Sequence, residues 1–383
     1  MGGAFGHMPH PFDLETVKSG DDLINLFYSI QKEVNTSIIR ESFNVKIDGS
    51  NLSFKLVGEE FAVDRGTQKT IDVEGITLSR ISERYDPTYQ VYADIEKLLI
   101  ILNSAYSDIL PELEVLGLTT ESSIFLNTEF VSKTNVVDYP YDFIAIHGVS
   151  QFYEKFKRVK GGTYIKTRKG IPNPLGENKA ISKEIPYDES ALLTLIDKLN
   201  KHSKQFGMKV LGPIPVEKNV ECNIEKALSK KLRITTESNT DYLKSINGKT
   251  LRQWLQSIQQ LPAYYSIKNK RYSTMIETIA GKKINPYHKK SYYQIAEEGC
   301  LIDSLVIKEN IDDLAAGVAI LQATRIVGQA ILDSLTSKVG PVSNHEGVVI
   351  RNEDFSNTAF KITGEYLVKG MFGYIAKDLA SRK

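Results

Sequence analysis

The 383-residue sequence predicts an α+β protein built on antiparallel sheets and interrupted by a large, mainly helical, basic insertion. Three observations predict it. Apolar and polar residues alternate at period two over residues 43–64 and again after Gly340, helical spacing appears before and between these runs, and charge is unevenly divided along the chain. Residues 151–340 hold 31 Lys/Arg against 19 Asp/Glu, a net of +12, whereas the remainder holds 17 against 28, a net of −11. The middle of the chain is built to meet an anion.

The elements follow in order. The start, MGGAFGHMPHPFDL, reads as an irregular arm over residues 1–20, and with no basic residues ahead of an apolar run it is not a secretory signal. His7 and His10, three apart and without acidic or cysteine partners, are weak evidence for a metal site. From residue 21 to about 34, Leu23, Ile24, Leu26, Phe27 and Ile30 recur at helical spacing. Residues 43–64, FNVKIDGSNLSFKLVGEEFAVD, then read as consecutive antiparallel strands with Asp48-Gly49 and Gly58-Glu59 as turns. Helical spacing returns over residues 89–110, and apolar strands follow at 123–130 and 143–149. Beyond Ser150 the texture becomes basic, with helical patterns at 190–205, 250–261 and 311–335, before alternation resumes in EGVVIRN and TAFKITGEYLV. The expected division is therefore a core of residues 21–150 and 341–383 and an insertion of 151–340. The most apolar stretch, 314–332, is interrupted by Gln322, Arg325 and Gln329, so it predicts a buried helix and no membrane span. Cys222 and Cys300 match no metal spacing and no disulfide framework, which points to a reducing, cytoplasmic setting.

A series of strands each presents one chemically distinctive residue. They are Lys46 in VKIDGSN, with Asp48, Gly49 and Asn51 beside it, then Arg65, Glu129 in FLNTEF, Phe143 in DFIAIHG, Glu346 in EGVVI, and Lys361 in FKI. A lysine that attacks phosphorus must be neutral, yet its ordinary pKa is about 10.4, so it needs burial or neighbouring cations. Lys361, Arg65 and a divalent metal would supply that positive field. Glu346, at the mouth of a strand beside Gly347, suits orienting the lysine or holding a metal through an oxygen. Glu129 suits ribose hydroxyls, or is simply an edge carboxylate; Phe143 is a base-stacking ring, or plain core.

In this order the motifs resemble the covalent nucleotidyltransferase superfamily of ATP-dependent DNA and RNA ligases and mRNA capping enzymes, and the RNA ligase branch in particular. The resemblance covers residues of about 40 to 147 and 341 to 370. It implies an antiparallel, ATP-grasp-like adenylation core, ATP as donor and Mg²⁺ or Mn²⁺ as cofactor. It further implies Lys46 as nucleophile, Arg65 as a phosphate or ribose contact, Glu129 to ribose, Phe143 to the base, Glu346 to metal and lysine, and Lys361 to phosphate. Asp48 and Gly49 would shape the first motif's loop, and Asn51 sits where RNA ligases often carry the same residue. The glycine-rich start also resembles the starts of large-phage proteins, which would place the chain in a host cytoplasm.

Three departures qualify the resemblance. The last motif has one lysine, Lys361, where K-x-K is usual, leaving Lys369 as a candidate substitute. With 13 residues after Gly370, no C-terminal OB-fold is expected. The insertion is far longer than a minimal core needs. It carries Lys155, Lys157, Arg158, Lys160, Lys166, Arg168 and Lys169 in one run, then Lys268, Lys270, Arg271, Lys282, Lys283, Lys289 and Lys290 interleaved with tyrosines. Cations for phosphates and aromatic faces for bases suit RNA or DNA ends, although tyrosines packed beneath a solvated basic face would give the same pattern. The sequence thus predicts an ATP-dependent polynucleotide ligase, for RNA rather than DNA. An adenylyltransferase acting on a protein and a nucleotide-binding or nucleic-acid-binding module that no longer reacts stand as alternatives.

Overall fold

The computed structural model describes residues 8–36, 42–64, 75–83, 85–120, 122–132, 139, 141–152, 156–158, 164–166, 182–229, 241–246, 248–253 and 324–364. The protein is α+β with largely antiparallel sheets. The chain divides into two compact units: unit 1 from Met1–Met8 and Ile47–Ile214, and unit 2 from Pro9–Lys46 and Pro215–Lys383. The chain begins unit 2 with helix α1 (Gly20–Val34) and β1 (Phe43–Lys46). Unit 1 follows with β2 (Ser50–Asn51), β3 (Ser53–Val57), β4 (Glu60–Asp64), β5 (Ile76–Thr77), α2 (Gln90–Val115), β6 (Ile124–Val131) and β7 (Phe143–Phe152). It continues with β8 (Phe156–Arg158), β9 (Tyr164–Lys166), β10 (Ser182–Glu184), α3 (Glu189–Ser203) and β11 (Lys209–Leu211). Unit 2 resumes with β12 (Glu217–Lys218), α4 (Glu225–Ser229), β13 (Ser245–Ile246), β14 (Lys249–Thr250) and a helix, α5, described over 324–333. β15 (Leu335–Ser337), β16 (Gly340–Pro341), β17 (Gly347–Ile350) and β18 (Phe360–Thr363) complete it. Among the described residues no helix is long and apolar enough to cross a membrane.

Unit 1 is an eight-stranded sheet in the order β10-β7-β6-β3-β4-β5, with β2 added to β6 and β11 added in parallel to β7. Alternation sends Phe54, Leu56, Leu126, Phe130, Ile144 and Ile146 to one face, where they pack with Leu98, Leu102 and Ile109 of α2 and Leu192, Leu195 and Leu199 of α3. Lys198 ties the two helices by holding both oxygens of Glu112 at 2.8 Å. Helix α2 runs five residues past the predicted end at 110, through Pro111. An interior proline costs about 3 kcal/mol or more, and the burial of Ile109, Leu113 and Leu116 around it offsets that cost.

The compact units do not divide where the sequence suggested. Residues 182–211, assigned to the helical insertion, instead supply β10, α3 and β11 to the unit 1 sheet and its helical cover. Short strands of three residues give too few alternations to be seen in sequence. Nor is Asp48-Gly49 a hairpin turn: β1 pairs with β17, and β3 pairs with β4 and β6. Gly58, with φ +65°, does form the predicted β3–β4 turn.

The small sheet β1-β17-β18 organises unit 2. Phe43, Val45, Val348, Ile350, Phe360 and Ile362 make one buried apolar face. Helix α5 approaches β18 so closely that a Cβ on Gly328 would lie 2.5 Å from the Thr363 carbonyl oxygen. The described part of the arm, residues 8–19, is irregular apart from one turn. A 3-10 turn at Pro11–Asp13 buries Phe12, and Leu14 and Val17 are buried beside it. The backbone N–H of His10 donates to Asp13 Oδ2 at 2.8 Å. Ser19 then caps α1, its hydroxyl accepting from the Asp22 N–H while the Asp22 carboxylate accepts from Ser19 N–H.

Candidate active site

Residues opposite one another across a ladder share a face. Lys46 is opposite Gly347, and Gly347 is opposite Thr363, two residues beyond Lys361. Lys46 and Lys361 therefore stand on one face of the unit 2 sheet, and the apolar set stands on the other. Glu346 enters just before β17, after a 3-10 turn at Val342–Asn344. Its carboxylate takes one lysine on each oxygen: Lys46 Nζ is 2.9 Å from Oε2 and Lys361 Nζ is 3.6 Å from Oε1. The side chains are 17%, 8% and 7% exposed for Lys46, Glu346 and Lys361. Three charges separated by as many as 315 positions in sequence are thus held nearly dry on neighbouring strands.

Two backbone features fix this arrangement. A Cβ on Gly347 would lie 1.9 Å from the Ile362 carbonyl oxygen, so only glycine lets β17 and β18 approach where the lysines converge. The outer edge of β18 is tied by the arm, Lys361 N–H donating to the Pro9 carbonyl at 2.8 Å. The electrostatics follow from burial and pairing. Burial alone would raise the Glu346 carboxyl, but the Lys46 and Lys361 ammonium groups and the Lys46 hydrogen bond outweigh it and bring it down to about 2. Burial lowers Lys361 below its ordinary value, against the pull of Glu346 and with the help of the like charge on Lys46. His345, beside Glu346, is brought down to about 4 by burial, opposed by a backbone contact with Val339.

Unit 1 gathers most of the other predicted residues on the sheet face away from α2 and α3. Asn51 is opposite Glu129, and its Nδ2 donates to Asn127 Oδ1 at 3.3 Å. Ser53 Oγ donates to Asn51 Oδ1 at 3.4 Å. His147 Nε2 lies 3.9 Å from Glu129 Oε1. Asp48 N–H donates to the Tyr139 hydroxyl at 3.1 Å, and a Cβ on Gly49 would lie 2.8 Å from the Phe130 carbonyl oxygen, so the first motif's glycine serves a close approach to β6. Phe143 is fully buried, edge-on to Tyr139 and Tyr141 with centroids 5.1 and 5.8 Å away. The ring is packed into the core of unit 1.

Arg65, Lys369, Lys155, Lys160, Arg168, Lys169 and the cations from Lys268 to Lys290 lie outside the described residues. Lys157 and Arg158 lie on β8 and Lys166 on β9, which pair with each other. Asn127, Tyr139 and His147 went unnoticed in the sequence. Only the His-Gly pair in DFIAIHG offered a signal, since glycine inside an apolar strand marks a bulge.

As a metal site the residues fit in a limited way. Glu346 offers one ionised carboxylate, the donor that Mg²⁺ takes together with phosphate oxygens. No group of three or more His, Cys, Asp or Glu side chains suited to a metal occurs among the described residues. Glu346 would be the protein's ligand, with nucleotide phosphates supplying the rest. In comparisons with known proteins, no family model matches the chain, and no curated protein or solved structure matches it.

Proposed function

We propose that the chain is an ATP-dependent polynucleotide ligase, for RNA rather than DNA, acting through a lysyl-AMP on Lys46. The observation that carries this reading is the Lys46–Glu346–Lys361 constellation, with Nζ to carboxylate distances of 2.9 and 3.6 Å in a nearly dry sheet face. A solvated strand lysine needs no such surroundings. Sites that hold titratable groups under burial and like charge are where reactive lysines are found.

The chemistry assigns each group a task. Lys46 Nζ, as the neutral amine, attacks the α-phosphorus; an N–P bond forms, the bond from the α-phosphorus to its bridging oxygen breaks, and pyrophosphate leaves with the electron pair. Before this, Nζ must shed a proton, which passes to solvent water. Glu346, at about 2, is too weak a base to take it at neutral pH, so its role is to orient the amine. The Lys361 ammonium faces the charge developing on phosphate oxygens. A divalent cation, when bound, neutralises the triphosphate. A 5′-phosphate oxygen of the acceptor then displaces Nζ, and a 3′-hydroxyl displaces AMP to form the phosphodiester.

The test is strand joining. Single-stranded RNA carrying a 5′-phosphate is incubated with ATP, Mg²⁺ or Mn²⁺ and either the wild type or Lys46→Ala. Joined or circular product from the wild type alone is expected. Adenylated protein acceptor without joined RNA would select the adenylyltransferase reading, and no product of either kind would count against both.

A further inference from the structure

The arm is fastened within unit 2 at two ends. At one, Lys361 N–H donates to the Pro9 carbonyl at 2.8 Å and the Pro11–Asp13 turn packs on β18. At the other, residues 17–19 meet the chain around the β13–β14 hairpin. Tyr242 N–H donates to the Lys18 carbonyl at 2.9 Å, Ser19 forms a bridge with Asp241, and Arg252 Nη2 donates to the Val17 carbonyl. Arg252 N–H in turn donates to the Tyr242 carbonyl at 3.0 Å, which extends the hairpin ladder to the residue that holds the arm. Phe12, Leu14, Val17 and Tyr242 are buried along this run. Charge follows the same path. Arg252 is half-buried, and burial lowers it below its ordinary value against the pull of Asp13, Tyr242 and Glu15. Lys361, lowered chiefly by burial, is likewise pulled up by Asp13 as well as by Glu346. One arm carboxylate thus acts on both cations.

We propose that Arg252 is a positioning residue for Lys361 and acts through the arm: it fastens residues 17–19, so that the Pro9 end holds the outer edge of β18 and keeps the Lys361 ammonium beside Glu346. β18 is the edge strand of its sheet, and the alternate amides of such a strand point outward. Lys361 N–H goes to the arm, whereas Phe360 and Ile362, at the neighbouring positions, turn their N–H groups toward β17. Lys361 is also the looser of the two lysines on Glu346, at 3.6 Å against 2.9 Å for Lys46, so its aim depends more on how its strand is held. The consequence for phosphate binding rests on the reading of this face given above; the fastening itself does not.

The experiment uses the full chain. Wild type, Arg252→Leu and Arg252→Lys are compared by residue-resolved hydrogen exchange and by calorimetric titration with inorganic pyrophosphate, and Lys361→Met measures the binding lost with the cation itself. In Arg252→Leu the Lys361 amide should exchange about tenfold faster while Phe360 and Ile362 keep their wild-type rates. Pyrophosphate should bind about tenfold more weakly. Lysine keeps the cation without the planar fork, so Arg252→Lys should show a smaller acceleration, still confined to the Lys361 amide, and it decides the matter if the leucine variant does not fold. In the Lys361→Met background, Arg252→Leu should cost no further affinity. Equal acceleration of all three amides would make Arg252 a structural support only, and unchanged exchange at Lys361 would remove the link; either result overturns the proposal. If wild type binds no pyrophosphate but exchange behaves as described, the phosphate reading falls and the positioning role stands. If pyrophosphate binds wild type and Arg252→Leu equally, the positioning role falls and the phosphate reading stands.

Discussion

The two units carry their polar groups in contrasting ways. On the narrow unit 2 sheet the groups are formal charges, Lys46, Glu346 and Lys361, almost dry and set against one another. On the broad unit 1 sheet they are amides, a hydroxyl and a His-Glu pair, linked by contacts of 3.3 to 3.9 Å. Breaking one partner out of a buried ion pair costs about 3–5 kcal/mol, whereas a neutral hydrogen bond contributes about 1 kcal/mol net. A surface of the first kind controls protonation and charge.

That contrast can be broken most severely at Glu346. Glu346→Gln leaves two lysines facing each other without their carboxylate, and unit 2 should lose about 3–5 kcal/mol, read by urea unfolding. Glu129→Gln in unit 1 should cost no more than about 1 kcal/mol. Equal losses would dissolve the distinction. Gly347→Ala comes next, at about 3 kcal/mol, because its Cβ must displace a backbone carbonyl 1.9 Å away. Hydrogen exchange should show β1, β17 and β18 opening together in that variant.

Acid sharpens the comparison at the next level. His345, brought from an ordinary 6.5 to about 4, stays neutral in the folded chain while the unfolded chain takes up a proton. Its stabilising share is therefore complete above pH 6.5 and is lost as pH falls toward 4, by about 2–3 kcal/mol. Glu346, ionised down to about 2, loses its share only below the ordinary carboxylate range. Denaturation curves from pH 7 to 4 should slope in the wild type and flatten in His345→Gln; equal slopes would remove His345 from the account. The smallest effect belongs to unit 1's Gly58→Ala, where nothing crowds the added Cβ and the left-handed φ alone should cost about 1 kcal/mol.

Legibility in the sequence followed the same division. Helices α1, α2 and α3 and strands β6 and β7 were visible because each spans enough residues to show a period, and the order of Lys46, Glu129, Glu346 and Lys361 could be read because each sits in or directly beside an apolar strand. The destination of β1 could not be read. Its four residues fit a local hairpin as well as the distant pairing with β17, and only the matching of Phe43 and Val45 with Val348 and Ile350 decides between them. The bulge at His147 in the β6–β7 ladder was hidden because its effect, moving His147 beside Glu129, is a property of the paired strand β6. Phe143 was ambiguous because a strand phenylalanine reads the same in sequence whether or not other rings, here Tyr139 and Tyr141, pack against it.

The proposed chemistry requires that the charged face of unit 2 make Lys46 a nucleophile. Covalent labelling tests it most directly: wild type, Lys46→Ala and Glu346→Gln are incubated with α-phosphorus-labelled ATP and Mg²⁺ or Mn²⁺, separated under denaturing conditions, and the labelled peptide is identified by mass spectrometry. The account predicts an acid-labile label on the peptide containing Lys46 in the wild type, none in Lys46→Ala, and strongly reduced label in Glu346→Gln. Folded, AMP-free wild type that takes no label from ATP, or takes it at a residue other than Lys46, would contradict it.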